Sequence, residues 1–151
     1  MGRIRDATPG DLDVVVAFNM AMAKETEDIT LDKNVVTPGV AAVLTPNSPH
    51  GRYFLLEEDG RVVAQLMITP EWSDWRNASM WWVQSVYVAP EHRRRGHFKA
   101  LYQHVKEACR AAGGGGLRLY VDDENTRAQE TYQKLGMKSH YRLFEDLNTD
   151  F

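Results

Sequence analysis

Three consecutive arginines and a glycine, Arg93-Arg94-Arg95-Gly96, sit where an apolar run, Val86-Tyr87-Val88, gives way to a helical pattern beginning at His97. A strand-to-helix turn of this kind suits an anion. The first N–H groups of a helix are unpaired, its dipole places positive charge there, and glycine lets the backbone approach a phosphate closely. Guanidinium groups add paired hydrogen bonds to phosphate oxygens. A solvated basic turn would account for the arginines alone, so a second feature has to decide. Asn125 stands at the start of another helix just after a short strand, with Ala128, Tyr132 and Leu135 following on one face. The histidines His50, His92, His97, His104 and His140 show no metal-ligand spacing, and no metal site is expected.

The elements that must hold these residues follow from periodicity and punctuation. After an apolar lead at Ile4, Thr8-Pro9-Gly10-Asp11 reads as a helix cap, and Leu12, Val15, Val16, Asn19, Met22 and Ala23 recur at helical spacing to about Glu25. Thr37-Pro38 repeats the cap signal for a short second helix ended by Pro46 and Pro49. Residues 53–56 and 62–68 form a hairpin around Glu58-Asp59-Gly60. A tryptophan-rich loop, 70–78, leads to a strand over 80–88. The helix from His97 ends at glycines 113–116. A strand over 117–121, a helix over 125–135 and a last strand over 141–147 complete the order βααβββαβαβ. This is an α/β (α+β) arrangement, a mixed sheet covered by helices, expected as one domain over 1–151.

The 151 residues are 43% hydrophobic and 26% charged, the composition of a chain that folds alone. A net charge of −3 offers no long-range attraction to nucleic acid. Cys109 is the only cysteine, which excludes an intrachain disulfide and suits a reducing compartment. No run approaches the length of a membrane span and the first residues form no apolar signal core, so the cytoplasm is the expected location and no membrane partner is expected.

The two segments together resemble the GNAT superfamily of acetyl-coenzyme A dependent N-acetyltransferases, over nearly the whole chain. Arg93-Arg94-Arg95-Gly96 after Val-Tyr-Val-Ala-Pro is similar to its pyrophosphate motif, and Asn125, Ala128, Tyr132 and Gly136 to its asparagine, alanine, tyrosine, glycine motif. Phe98 departs from the small residue that ends the first motif. The resemblance implies a mostly antiparallel sheet and acetyl-coenzyme A as co-substrate, bound by Val86, Tyr87, Val88, Arg93, Arg94, Arg95, Gly96, His97, Phe98 and Asn125. It implies that Tyr132 hydrogen-bonds or protonates the departing thiolate. Relatives often carry a glutamate base at positions matching Trp82 or Gln84, and neither is acidic here.

That leaves Glu71, Asp74, Glu25, Glu27, or water held through Gln84, as candidates for deprotonating an amine. The acceptor expected is an amine of a small molecule or peptide, cationic before it reacts, met by Glu25, Glu71, Trp72, Asp74, Trp75 and Gln84. Homodimers are frequent in the family. Two other readings compete: a coenzyme A binding module without turnover, suggested by the absent glutamate and Phe98, and a nucleic-acid binder, suggested by His92-Arg93-Arg94-Arg95 and weakened by the acidic net charge.

Overall fold

Residues 2–149 are described by the computed structural model, and they fall in two compact units that meet in sequence between Arg118 and Leu119. The first unit holds a five-stranded sheet in the order β1-β2-β3-β4-β5, with β1 Arg3–Asp6, β2 Arg52–Glu58, β3 Arg61–Ser73, β4 Ala78–Val88 and β5 Gly116–Arg118. The first four strands pair antiparallel and β5 pairs parallel with β4. Helices α1 Leu12–Glu27, α2 Lys33–Leu44 and α3 His97–Ala111 belong to this unit, and α4 Thr126–Lys134 to the second.

Alternation along β2 explains the layering. Tyr53 and Leu55 pack with Val15 and Val16 of α1 and Val40 and Leu44 of α2 in one buried cluster. The intervening Phe54 turns to the other side, where its ring meets His104 of α3 at 5.5 Å. On α3, Leu101, Val105 and Cys109 are buried at helical spacing, so the sheet is covered on both faces.

The capping signal at Thr8 is used in a single 3-10 turn, Pro9–Asp11, whose acid accepts a hydrogen bond from the Thr8 amide at 2.7 Å. Asp11 also receives both terminal nitrogens of Arg5 at 2.9 Å, while Arg5 Nε reaches Glu57 at 2.6 Å. This joins β1, the turn and β2. The hydrogen bonds from Arg5 outweigh the cost of burial and hold the Asp11 carboxyl at about 2, against an ordinary value of 3.8. A depressed folded-state pKa gives stability that is present above the unfolded value and lost as pH falls through the folded one. Stability should therefore drop by about 2 kcal/mol between about pH 4 and pH 2. Denaturant midpoints of the parent and Asp11→Asn across that window check this; an equal loss in both proteins would assign the acid sensitivity elsewhere.

Four elements differ from expectation. Helix α2 starts at Lys33, not at Thr37, because the Asp32 side chain caps it by accepting from the Asn34 amide at 2.9 Å, and Pro38 lies inside. The expected loop over 70–78 is mostly strand: β3 continues through Pro70 to Ser73, paired with Trp81 to Ala78, and only residues 74–77 turn. Arg52, the first residue of β2, pairs with Ile68, so at Pro70 β3 has a neighbour on one side only, the setting that tolerates a missing N–H. Residues 141–147 form no strand, and β5 is limited to Gly116–Arg118. A lone strand gains no ladder hydrogen bonds, and the described residues of the second unit contain no strand to pair with. The α/β class and the mostly antiparallel sheet hold.

Candidate active site

Strand β4 is the candidate because only part of its outer edge is paired. Its ladder with β5 covers Met80, Trp81 and Trp82 and then stops. The backbone from Val83 to Val88 has no strand on that side among the described residues. Unpaired strand N–H and C=O groups take an extended ligand as they would another strand.

A bulge bends β4 in this stretch. Gln65 pairs with Tyr87 and Met67 with Gln84, so Ser85 and Val86 together oppose Leu66, and Ser85 has φ 48°. A buried polar network holds this backbone. The Gln65 amide nitrogen donates to the Ser85 carbonyl and to Asn19 Oδ1, both at 3.0 Å, and the Asn19 amide nitrogen donates to the Tyr53 hydroxyl at 3.0 Å. Gln65 is fully buried. Sequence reasoning passed over it, although a glutamine inside the apolar run 62–68 and the polar interruption at Asn19 were the visible signals.

Beyond Val88 the chain makes a 3-10 turn, Pro90–His92, and enters α3 through Arg94 at φ 63° and Gly96 at φ 78°. Two left-handed residues before a helix start turn successive amides toward one side, the geometry of an anion cradle. The three arginines are not equivalent. Arg93 donates through Nε to the Val88 carbonyl at 2.9 Å and through both terminal nitrogens to Glu25 at 2.6 and 2.9 Å, lying 5.5 Å from the centre of the Tyr87 ring. Its hydrogen bonds hold the Glu25 carboxyl below the usual carboxylate range. Arg95 leans on Glu58 at 3.4 Å. Arg94 is exposed and has no carboxylate partner among the described residues.

Glu58 gathers charge of its own. His92 Nδ1 lies 3.0 Å from Oε2 and His97 Nε2 3.1 Å from Oε1. Desolvation pushes the Glu58 carboxyl up, but the His92 hydrogen bond and the charges of His97, Arg95 and His92 outweigh it and leave the pKa lowered. His97 is accordingly turned inward and buried, while Phe98 packs toward Tyr102 with ring centres 6.2 Å apart.

The residues expected to meet an acceptor are spread along the sheet. Gln84 is close to the bulge and donates to Thr69 Oγ1 at 2.6 Å. Glu71 pairs with Arg118 across β4. Trp72 and Trp75 are 63% and 92% exposed at the far end of the β3–β4 hairpin, with Asp74 beside them. Roughly 30 Å of strand separates Ser79, opposite Trp72, from Val88. Glu25 is gathered at the arginine turn instead. In the second unit, Asn125 caps α4 by accepting from the Ala128 amide at 3.1 Å, and the half-buried Tyr132 lies two turns on. Burial pushes the Tyr132 hydroxyl up.

The model of the Acetyltransferase (GNAT) family matches residues 22–137. The chain belongs to the GNAT acetyltransferase family. Among solved structures it is similar to a possible acetyltransferase from Clostridium difficile 630, with 42% identity, a TM-score of 0.91 and 99% of each chain covered. A probable acetyltransferase shares 21% identity at a TM-score of 0.86, again over 99% of both chains. A predicted acetyltransferase with acetyl-CoA from Clostridium acetobutylicum shares 15% identity at a TM-score of 0.80, over 97% of this chain and 96% of the other. Comparison with curated proteins found no match.

The turn Arg93–Phe98 follows β4, Asn125 is the N-cap of α4, and Tyr132 lies within that helix. No helix among the described residues is long and apolar enough to cross a membrane.

Proposed function

We propose that this GNAT protein moves the acetyl group of acetyl-coenzyme A to a primary amine of a small molecule or peptide, by direct attack of the neutral amine on the thioester. The observation that carries the reading is the continuity of β4: an unpaired, bulged edge that runs straight into a turn with two left-handed residues and a helix start. An extended pantetheine arm would hydrogen-bond the edge at Val86 and Val88, and the pyrophosphate would take the amides of residues 94–98 and the Arg94 guanidinium. Arg93 would act at one remove, keeping the turn against Val88 and Glu25.

In the reaction the amine nitrogen bonds to the carbonyl carbon, the oxygen takes the negative charge, and the carbon–sulfur bond then breaks. The thiolate takes a proton from Tyr132, a phenol that is protonated at neutral pH. The amine gives its proton to water or to a carboxylate of the hairpin, Glu71 or Asp74. Amine selection falls to Gln84 and to the hairpin with Trp72 and Trp75. The buried thiol of Cys109 suits the cytoplasm.

Mixing the protein with acetyl-coenzyme A and a panel of primary amines should release free coenzyme A thiol only when an acceptor is present, with the acetylated amine seen by mass spectrometry. Absence of thiol release across the panel, together with unchanged thermal stability in acetyl-coenzyme A, would sink this reading.

A further inference from the structure

Glu58 ends β2, His92 closes the 3-10 turn after β4, and His97 opens α3. These residues are far apart in sequence, yet each offers a ligand atom and the three atoms lie within 4.8 Å of one another. Two imidazoles and one carboxylate form a donor set that zinc and its neighbouring divalent ions take readily. Donors at about 2.1 Å from a tetrahedral ion stand about 3.4 Å apart. The two histidine–carboxylate separations, 3.0 and 3.1 Å, run to the two oxygens of Glu58, so the carboxylate lies between the imidazoles and would hold an ion through both oxygens or turn to present one.

Hydrogen bonding within the cluster does not account for His97. Its side chain is 8% exposed, and Nε2 is buried without a hydrogen bond although Glu58 Oε1 is 3.1 Å away; the contact has the distance of an ion pair but not the geometry of a hydrogen bond. A buried nitrogen left in this way is destabilising, and a metal bond would give it a partner. Arg95 reaches Glu58 Oε2 and His92 Nδ1 only at 3.4 Å and is 53% exposed, so it can swing into solvent. His92 also lines a cleft of about 330 Å³ with Val14, Phe18 and Glu91, and the His92 and Glu58 side chains are both partly exposed to solvent.

We propose that Glu58, His92 and His97 bind one divalent transition-metal ion of the zinc class, with solvent completing its shell, and that the ion fastens the arginine turn to the end of β2. The site goes beyond acetyl transfer, and its existence does not depend on which amine is used.

Cobalt(II) titrated into protein free of any histidine tag should give the visible absorption of a nitrogen- and oxygen-bound ion at one equivalent, and zinc should displace it and raise the melting temperature. Glu58→Gln and His92→Gln, both at partly exposed side chains, should each weaken binding at least tenfold. His50→Gln, remote in the chain and outside the cluster, should bind like the parent. Failure of the parent to bind cobalt overturns the proposal. So does binding that survives unchanged in both Glu58→Gln and His92→Gln, or that is lost equally in His50→Gln, since each assigns the ion to another place.

Discussion

Replacing Gly96 by valine should abolish stabilisation by acetyl-coenzyme A while leaving a folded protein. Gly96 has φ 78°, a left-handed conformation, and a Cβ built there would meet nothing within 4 Å. The penalty is therefore conformational and not a clash. A β-branched residue held in that region costs on the order of 1–3 kcal/mol, so the chain will seek another path between Arg95 and His97. Any such path turns the amides away from where a pyrophosphate would lie. The core under the turn, Leu101 and Val105, is untouched, and melting without cofactor should fall by only several degrees. Thermal melts of parent and variant, with and without saturating acetyl-coenzyme A, read both effects at once. A shift in the variant equal to that of the parent would remove residues 94–98 from cofactor binding.

Tyr132→Phe should lower kcat by about a hundredfold or more while acetyl-coenzyme A KM stays within about twofold. The phenol is needed only when the carbon–sulfur bond breaks, so its loss is felt in the transition state and hardly in binding. Phenylalanine keeps the half-buried ring and removes only the hydroxyl, which separates loss of the proton from loss of fold. Steady-state rates with a confirmed amine decide it; parental turnover in the variant would assign the proton to another group.

Much of this was legible in the chain because it depends on neighbours in sequence. The apolar spacing of α1 and α3, the hairpin at Asp59-Gly60 and the arginine turn all follow from local chemistry. So did the family, since its motifs are contiguous. The start of α2 was misread because Thr37-Pro38 and Asp32 are both good caps, and it is the Asp32 carboxylate that meets the Asn34 amide. The tryptophan segment was misread because proline argues against a strand only where both sides are paired. What no local rule contains is register. The bidentate grip of Arg93 on Glu25 and the cluster around Glu58 bring together residues from distant strands and helices, and each exists only because the sheet pairs as it does.

The network under the bulge sets unequal tolerances to substitution. Gln65 grips Ser85 by its main-chain carbonyl, so that contact survives a change of side chain; glycine or asparagine would keep the positive φ and lose only the hydrogen bond between the Ser85 side chain and Tyr53. Position 65 has no such freedom. Its amide must span from Asn19 to Ser85 in a site closed to water, and glutamate of the same length would carry charge with no amide nitrogen to donate. Variation among close relatives of this chain should therefore be more frequent at 85, which is partly exposed, than at 65, which is closed to solvent.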